Sequence, residues 1–477
     1  MNVARGVSRM SAPADQRAGV GLLRAAIASP HVTLAGVAGT ATICEFAARK
    51  SGSSAWMMLA AGLAVVGFVK VWRTQEQLRL LPLLGLTLAF QLVWIVLHLA
   101  LGVTSFDSSE LYSRWGNDLL DGHYPESQYP PGAVLLFTLD AWLGGGATRT
   151  SHAFVMVPFQ LIAVVAVWAF RTRTAAWLAA LVALWPMNAF FWEFRFDLVP
   201  AALLALGLLL AFREHWSLSG GVLGLGAAIK WVPGVAFAVL AVWLLASGRR
   251  GAFGRHVVAF ASVFILVHLP FVLWSPDQAL FAYRYFSGQG LTGETVWYLL
   301  LAPLGLATVD LQAFWLPADV PGWVDPATVV IQGLLLLGLA GAAVRARMSL
   351  RSGLAIAAVA PAVFLLTNRV FSPQYLVLIL VAWAIAGALV LESRRDQLAL
   401  GILAIGATTA NAFVYPYTLL QQSLWRGASA ILFAVALTTC AWLVLRATQL
   451  ARKLEPGWTG ALVSKRPVPA DTAGSHS

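Results

Sequence analysis

The sequence predicts an all-α polytopic membrane protein, a bundle of about 12–14 transmembrane helices whose outer loops carry short interfacial helices. Three observations predict it. Hydrophobic residues fill 59% of the 477 positions, charged residues only 11%, and the mean hydropathy is +0.76. A soluble domain carries about 25% charged residues, so this chain lacks the polar surface to meet water on every side. Apolar runs of near-spanning length recur from residue 31 to residue 446. Between them, basic residues come singly or in twos and threes, as the positive-inside rule expects of cytoplasmic loops.

Taken in order, residues 1–29 are polar and basic (Arg5, Arg9, Arg17, Arg24), without the short apolar core and cleavage site of a signal peptide. They are expected to be a cytoplasmic segment. A membrane domain is expected over 30–450, with spans near 31–47, 54–72, 80–101, 152–170, 175–190, 197–212, 218–230, 233–247, 257–274, 327–344, 353–367, 374–391, 398–416 and 427–446. The pairs and triplets Arg73/Arg79, Arg171/Arg173, Arg249/Arg250/Arg255, Arg345/Arg347/Arg351 and Arg394/Arg395 fit one cytoplasmic side, which then takes both termini. Arg49 and Lys50 run against this pattern. Two long loops fall outside, about 102–131 and 275–325; the second holds an apolar stretch, Thr295–Ala307, expected on the membrane surface. The segment Gly132–Gly144 would be about 20 Å long as a helix, too short to cross, and is read as re-entrant or interfacial. Residues 451–477, rich in Pro, Ala and Ser toward the end, read as a disordered cytoplasmic tail.

The net charge of +11 does not imply nucleic acid, because the basic residues are dispersed between apolar runs. Arginine supplies 27 of the 32 basic residues, which, with the Ala, Gly and Trp content, suggests the inner membrane of a high-GC bacterium. Cys44 and Cys440 both lie in apolar spans, where packing explains them. No P-loop, HExxH, strand-borne GxSxG or Cys/His metal spacing occurs.

Chemistry is expected where ionisable residues sit at membrane depth or at its wet face. Asp107, in Ser105-Phe106-Asp107-Ser108-Ser109-Glu110, begins the first outer loop just past a span, as a general base anchored to a rigid helix would; a capping box with Glu110 is the plainer reading. Trp192-Glu193-Phe194-Arg195-Phe196-Asp197 alternates charges and aromatics, which suits either a sugar and a phosphate or a helix-end ion pair. Lys230, one of five lysines, interrupts a long apolar stretch and needs a partner, a ligand phosphate or a route to the interface. Arg369, in Asn368-Arg369-Val370-Phe371-Ser372-Pro373-Gln374-Tyr375, could complete an anionic-lipid site or anchor a helix end. His268 and Arg284 are weaker candidates.

The order of these motifs resembles glycosyltransferase family 87: an acidic outer loop, Gly122-His123-Tyr124 to Tyr129-Pro130-Pro131, Glu193–Asp197, Ile229-Lys230-Trp231-Val232-Pro233, and Ser372-Pro373-Gln374-Tyr375, over roughly residues 100–390. The N-terminal segment before residue 50 departs from the family pattern. The resemblance implies a GT-C-like fold and a transferase that takes mannose from a polyprenyl-phosphate carrier, as in actinobacterial enzymes that extend phosphatidylinositol mannosides. It implies Asp107 as base with Glu110 as rival, Lys230, Arg195 and Arg369 at the donor phosphate, and Glu193, Asp197, Trp192, His123, Tyr129 and Gln374 at sugar or acceptor. The acceptor would be a glycolipid or cell-envelope glycan on the extracytoplasmic face, with inversion at the anomeric carbon and no metal or other cofactor. The rivals are a lipid-linked sugar flippase or other secondary transporter, whose acids should lie near the bilayer midplane on broken helices, and a membrane scaffold.

Overall fold

The computed structural model describes residues 29–51, 53–73, 78–146, 148–170, 173–184, 189–310, 316–415 and 425–454. The N-terminal segment and most of the C-terminal tail lie outside the described residues. The helices are α1 (Pro30–Ser51), α2 (Ser54–Arg73), α3 (Leu80–Ala100), α4 (Tyr112–Leu120), α5 (Pro131–Leu143), α6 (Thr148–Trp168), α7 (Arg173–Leu184), α8 (Ala189–Phe194), α9 (Leu198–Phe212) and α10 (Trp216–Ile229). They continue as α11 (Val232–Ala246), α12 (Arg250–Trp274), α13 (Pro276–Ala279), α14 (Phe281–Gly288), α15 (Val296–Leu301), α16 (Val324–Arg345), α17 (Leu350–Leu366), α18 (Tyr375–Val390), α19 (Arg394–Val414) and α20 (Trp425–Arg452). Among the described residues there is no strand, only two isolated bridges, Thr292–Pro317 and Thr308–Asp319. The chain is an all-α membrane-embedded protein.

Among the described residues seven helices are long and apolar enough to cross a membrane: α2, α3, α6, α12, α16, α19 and α20. Shorter apolar helices of 10–17 residues fill the space between them. Each of the fourteen expected spans overlaps a helix among the described residues, with 185–188 and 416 lying outside them. Burial sorts them. All sixteen residues of α18 are buried, so a helix apolar on every side becomes the centre of the bundle. In α12, by contrast, only 6% of the apolar window is buried. Leu266 and Leu273 stand bare on it, and hydrocarbon is the only solvent in which such a face is stable.

The helix ends form two sets. At one end Arg213 donates to the carbonyl of Ala169 (3.1 Å), Ser247 to that of Arg347 (2.9 Å), and Arg446 pairs with Asp396 (2.9 Å). At the other end gather the two long loops and the chemistry-bearing residues. The segment α5 has both ends in this second set. Its first turn lies on the last turn of α10, and Asp140 near its other end meets His152 of α6 at 2.6 Å. It therefore lies across that end without traversing the bundle.

Glycine makes the first of these contacts feasible. A Cβ on Gly132 would sit 2.6 Å from the carbonyl oxygen of Ala228. Substituting Gly132→Val is expected to push α5 away from α10 at a cost of about 1–3 kcal/mol, seen as a lower melting temperature of the protein in nanodiscs.

Candidate active site at the loop-bearing end

The first long loop leaves α3 and is stapled to the start of α6 on both sides of Asp107. Arg149 donates to the carbonyls of Val103 (2.6 Å) and His98 (3.2 Å), and Thr148 donates to that of Ser108. Ser109 turns back on the carbonyl of Ser105 at 2.6 Å. Asp107 opens a single π-helical turn, Asp107–Leu111, whose cap position is Phe106 and which has no side-chain cap. The capping box is thus not formed. Such turns displace a side chain from the regular helical face and recur at functional sites. Here Asp107, 23% exposed, makes an ion pair with Arg195, while Glu110 faces solvent.

Arg195 and Asp197 occupy the turn between α8 and α9. Arg195 is buried and hydrogen-bonded to the Tyr415 hydroxyl, yet its Nε has no partner. Asp197 accepts from Lys230 Nζ at 2.5 Å through Oδ1, and its Oδ2 is buried without a partner. Lys230 sits in extended backbone between α10 and α11. Its ammonium is caged by aromatic faces: Tyr375 at 4.4 Å, Phe196 at 5.1 Å and Tyr129 at 5.6 Å. Aromatic quadrupoles and one carboxylate replace the water this cation has lost. Four charged groups from three stretches of chain thus meet in one cluster with Tyr129.

A cleft leads from the cluster. Lys230, Tyr129 and Tyr375 share a narrow chamber with Trp231, Phe286, Phe364, Asn368 and Val370. The last five also line a wider cavity of about 300 Å³ with Tyr283 and Arg369. The cleft is mostly aromatic and aliphatic, with one ammonium at its inner end and one guanidinium at its mouth. Arg369 stands 4.0 Å from Asp325.

The remaining candidates are placed elsewhere. Glu193 turns to α3 and meets His98 Nδ1 at 2.5 Å. Trp192 packs edge-on against Phe90 with centroids 6.2 Å apart. One turn of α8 is enough to send these two side chains away from Arg195 and Asp197. His123 is exposed. Gln374 is buried one residue before Tyr375 and accepts from Ser372 at 2.5 Å. His268 binds the Tyr283 hydroxyl at 2.7 Å, and Arg284 lies at the surface with Asp277.

One residue was not singled out from the sequence. Glu294, in the second long loop, is buried, and its charge interacts with Arg195 and Tyr375. Burial pushes its carboxyl up to about 8, against the opposing pull of Arg195. The only local signal was a single acid between Gly293 and Thr295 in an otherwise uncharged stretch. Tyr415 likewise carried no mark of its role, and Tyr375 stood out only as the end of the Ser372–Tyr375 motif.

Comparison of the chain with protein families, curated proteins and solved structures returned no match.

Proposed function

We propose that the chain is a membrane glycosyltransferase of GT-C-like arrangement, similar to family 87, acting at the loop-bearing end of its bundle on the extracytoplasmic face. The reading is supported above all by one observation: the Asp107–Arg195 and Asp197–Lys230 pairs meet beside an apolar cleft that ends on an ammonium. A polyprenyl-phosphate sugar has that shape and polarity, a long apolar chain joined to a phosphate. In the proposed transfer, Lys230 and Arg195 hold the phosphate, with Arg369 at the mouth, and stabilise the charge that grows on it as the anomeric bond breaks. Asp107 takes the proton of an acceptor hydroxyl as its oxygen attacks the anomeric carbon, with inversion. Mannose, the sugar the resemblance implies, is the proposed donor group. A glycolipid or cell-envelope glycan is the proposed acceptor.

The test uses membranes containing the full chain and a radiolabelled polyprenyl-phosphate mannose. The expected result is a new labelled glycolipid with release of polyprenyl phosphate. Label that only crosses the bilayer, unchanged, would replace this reading by the flippase one.

A further inference from the structure

Asp107 and Asp197 each contact a cation, whereas the third carboxylate of the cluster does not. Glu294 is delivered by a loop held on both sides of it: Thr292 donates its backbone N–H to the carbonyl of Arg369 (2.9 Å), and Trp297 Nε1 donates to that of Thr367 (2.7 Å). The Thr295 hydroxyl closes the turn on the Thr292 carbonyl at 2.8 Å and caps α15. Glu294 is 8% exposed and forms no ion pair or hydrogen bond among the described residues. The groups whose charge it feels are Arg195, from the α8–α9 turn, and Tyr375, from the start of α18. Behind Arg195 stand Asp107, Asp197 and Tyr415, and beyond Asp197 stands Lys230.

We propose that Glu294 is the general acid of the transfer, giving its proton to the phosphate oxygen that leaves the anomeric carbon while Asp107 takes the proton of the acceptor hydroxyl. The inference rests on the glycosyltransferase reading above. Cleavage of the anomeric C–O bond leaves its electron pair on that oxygen. Without a proton the carrier would depart as a dianion into a cluster already holding two carboxylates. With the Glu294 proton it departs as a monoanion. The acceptor O–H pair forms the new C–O bond, and its proton goes to Asp107. The cycle closes when Asp107 releases that proton to water and Glu294 takes one up. Two carboxylates in one site then have two roles, separated by surroundings: Asp107 is charged against a guanidinium, and Glu294 is protonated by desolvation.

The experiment measures transfer by the purified full chain in nanodiscs, with polyprenyl-phosphate mannose and a glycolipid acceptor, across the pH range. Wild-type kcat is expected to hold through neutral pH and to fall above about pH 8, because the protonated form of Glu294 is the active one and burial places its loss there. Glu294→Gln keeps the shape and an N–H donor but has no proton to give. Its kcat is expected to drop about 10²-fold with little change in KM, and the alkaline fall should vanish. Glu294→Asp should recover part of both. The Gln variant should melt no lower than wild type at neutral pH. Between the ordinary value of 4.5 and about 8, unfolded Glu294 is ionised while the folded residue is not, so wild type loses stability across that window and the Gln variant does not. A wild-type enzyme that transfers mannose alongside a Glu294→Gln variant with equal kcat and an unchanged alkaline limb would overturn the acid assignment alone. No transfer by wild type would remove the parent reading, and this inference with it.

Discussion

Asparagine in place of Asp107 is expected to lower sugar transfer by at least ~10²-fold, the usual contribution of a positioned general base. The substitution keeps the side chain's size and leaves an oxygen to accept from Arg195, so the loop stapled by Arg149 and Thr148 should stay in place. What disappears is the ability to take a proton. Because the amide oxygen still meets Arg195, which is buried and also bonded to Tyr415, no buried cation is stranded, and kcat should fall without a matching fall in melting temperature. Glu110→Gln serves as the contrast, since that carboxylate faces solvent, and it should retain activity within about twofold. Near-normal turnover by the Asn variant, or a large loss in the Glu110 variant, would move the base away from Asp107.

The second large effect is expected at Lys230. Replacing it with methionine strands the buried carboxylate of Asp197, which then has neither oxygen partnered. Breaking a buried pair by removing one member costs about 3–5 kcal/mol. Lys230→Met should therefore lose folded yield and transfer together. Adding Asp197→Leu removes the stranded charge and should restore the melting temperature, but transfer should remain absent because the phosphate has lost its ammonium. Arginine is expected to restore transfer poorly, because its longer planar fork cannot place a compact charge where the ammonium lies among the rings of Tyr375, Phe196 and Tyr129. Thermal melts of the three variants beside a transfer assay separate the two roles. If the double variant regained transfer, Lys230 would be a structural partner of Asp197 only.

The fold could be read well ahead of the site, for a physical reason. Hydrophobic runs of membrane length are a property of local sequence, so every expected span meets a helix, and the thirteen residues of α5 were too few for a crossing. The grouping of Asp107, Arg195, Asp197 and Lys230 was legible as unusual charges near one membrane face. Which neighbours of Arg195 join it was not. Glu193 lies two positions away in α8, yet pairs with His98, a residue whose apolar surroundings in α3 gave no sign of a carboxylate partner. Glu294 is lifted out of the ordinary carboxyl range by burial that exists only after the second long loop has docked on the end of α17 and the segment that follows it. Such properties belong to contacts between distant segments and leave no trace in local composition.

The enclosed position of α18 affects how the protein should respond to its membrane. That helix carries Tyr375 at its tip and touches no lipid along its length, whereas α12 and α16 are bathed in acyl chains. A change in bilayer thickness will be absorbed by tilt or bending of the outer pair, and the central post should hold its ring over the ammonium in thin and thick membranes alike.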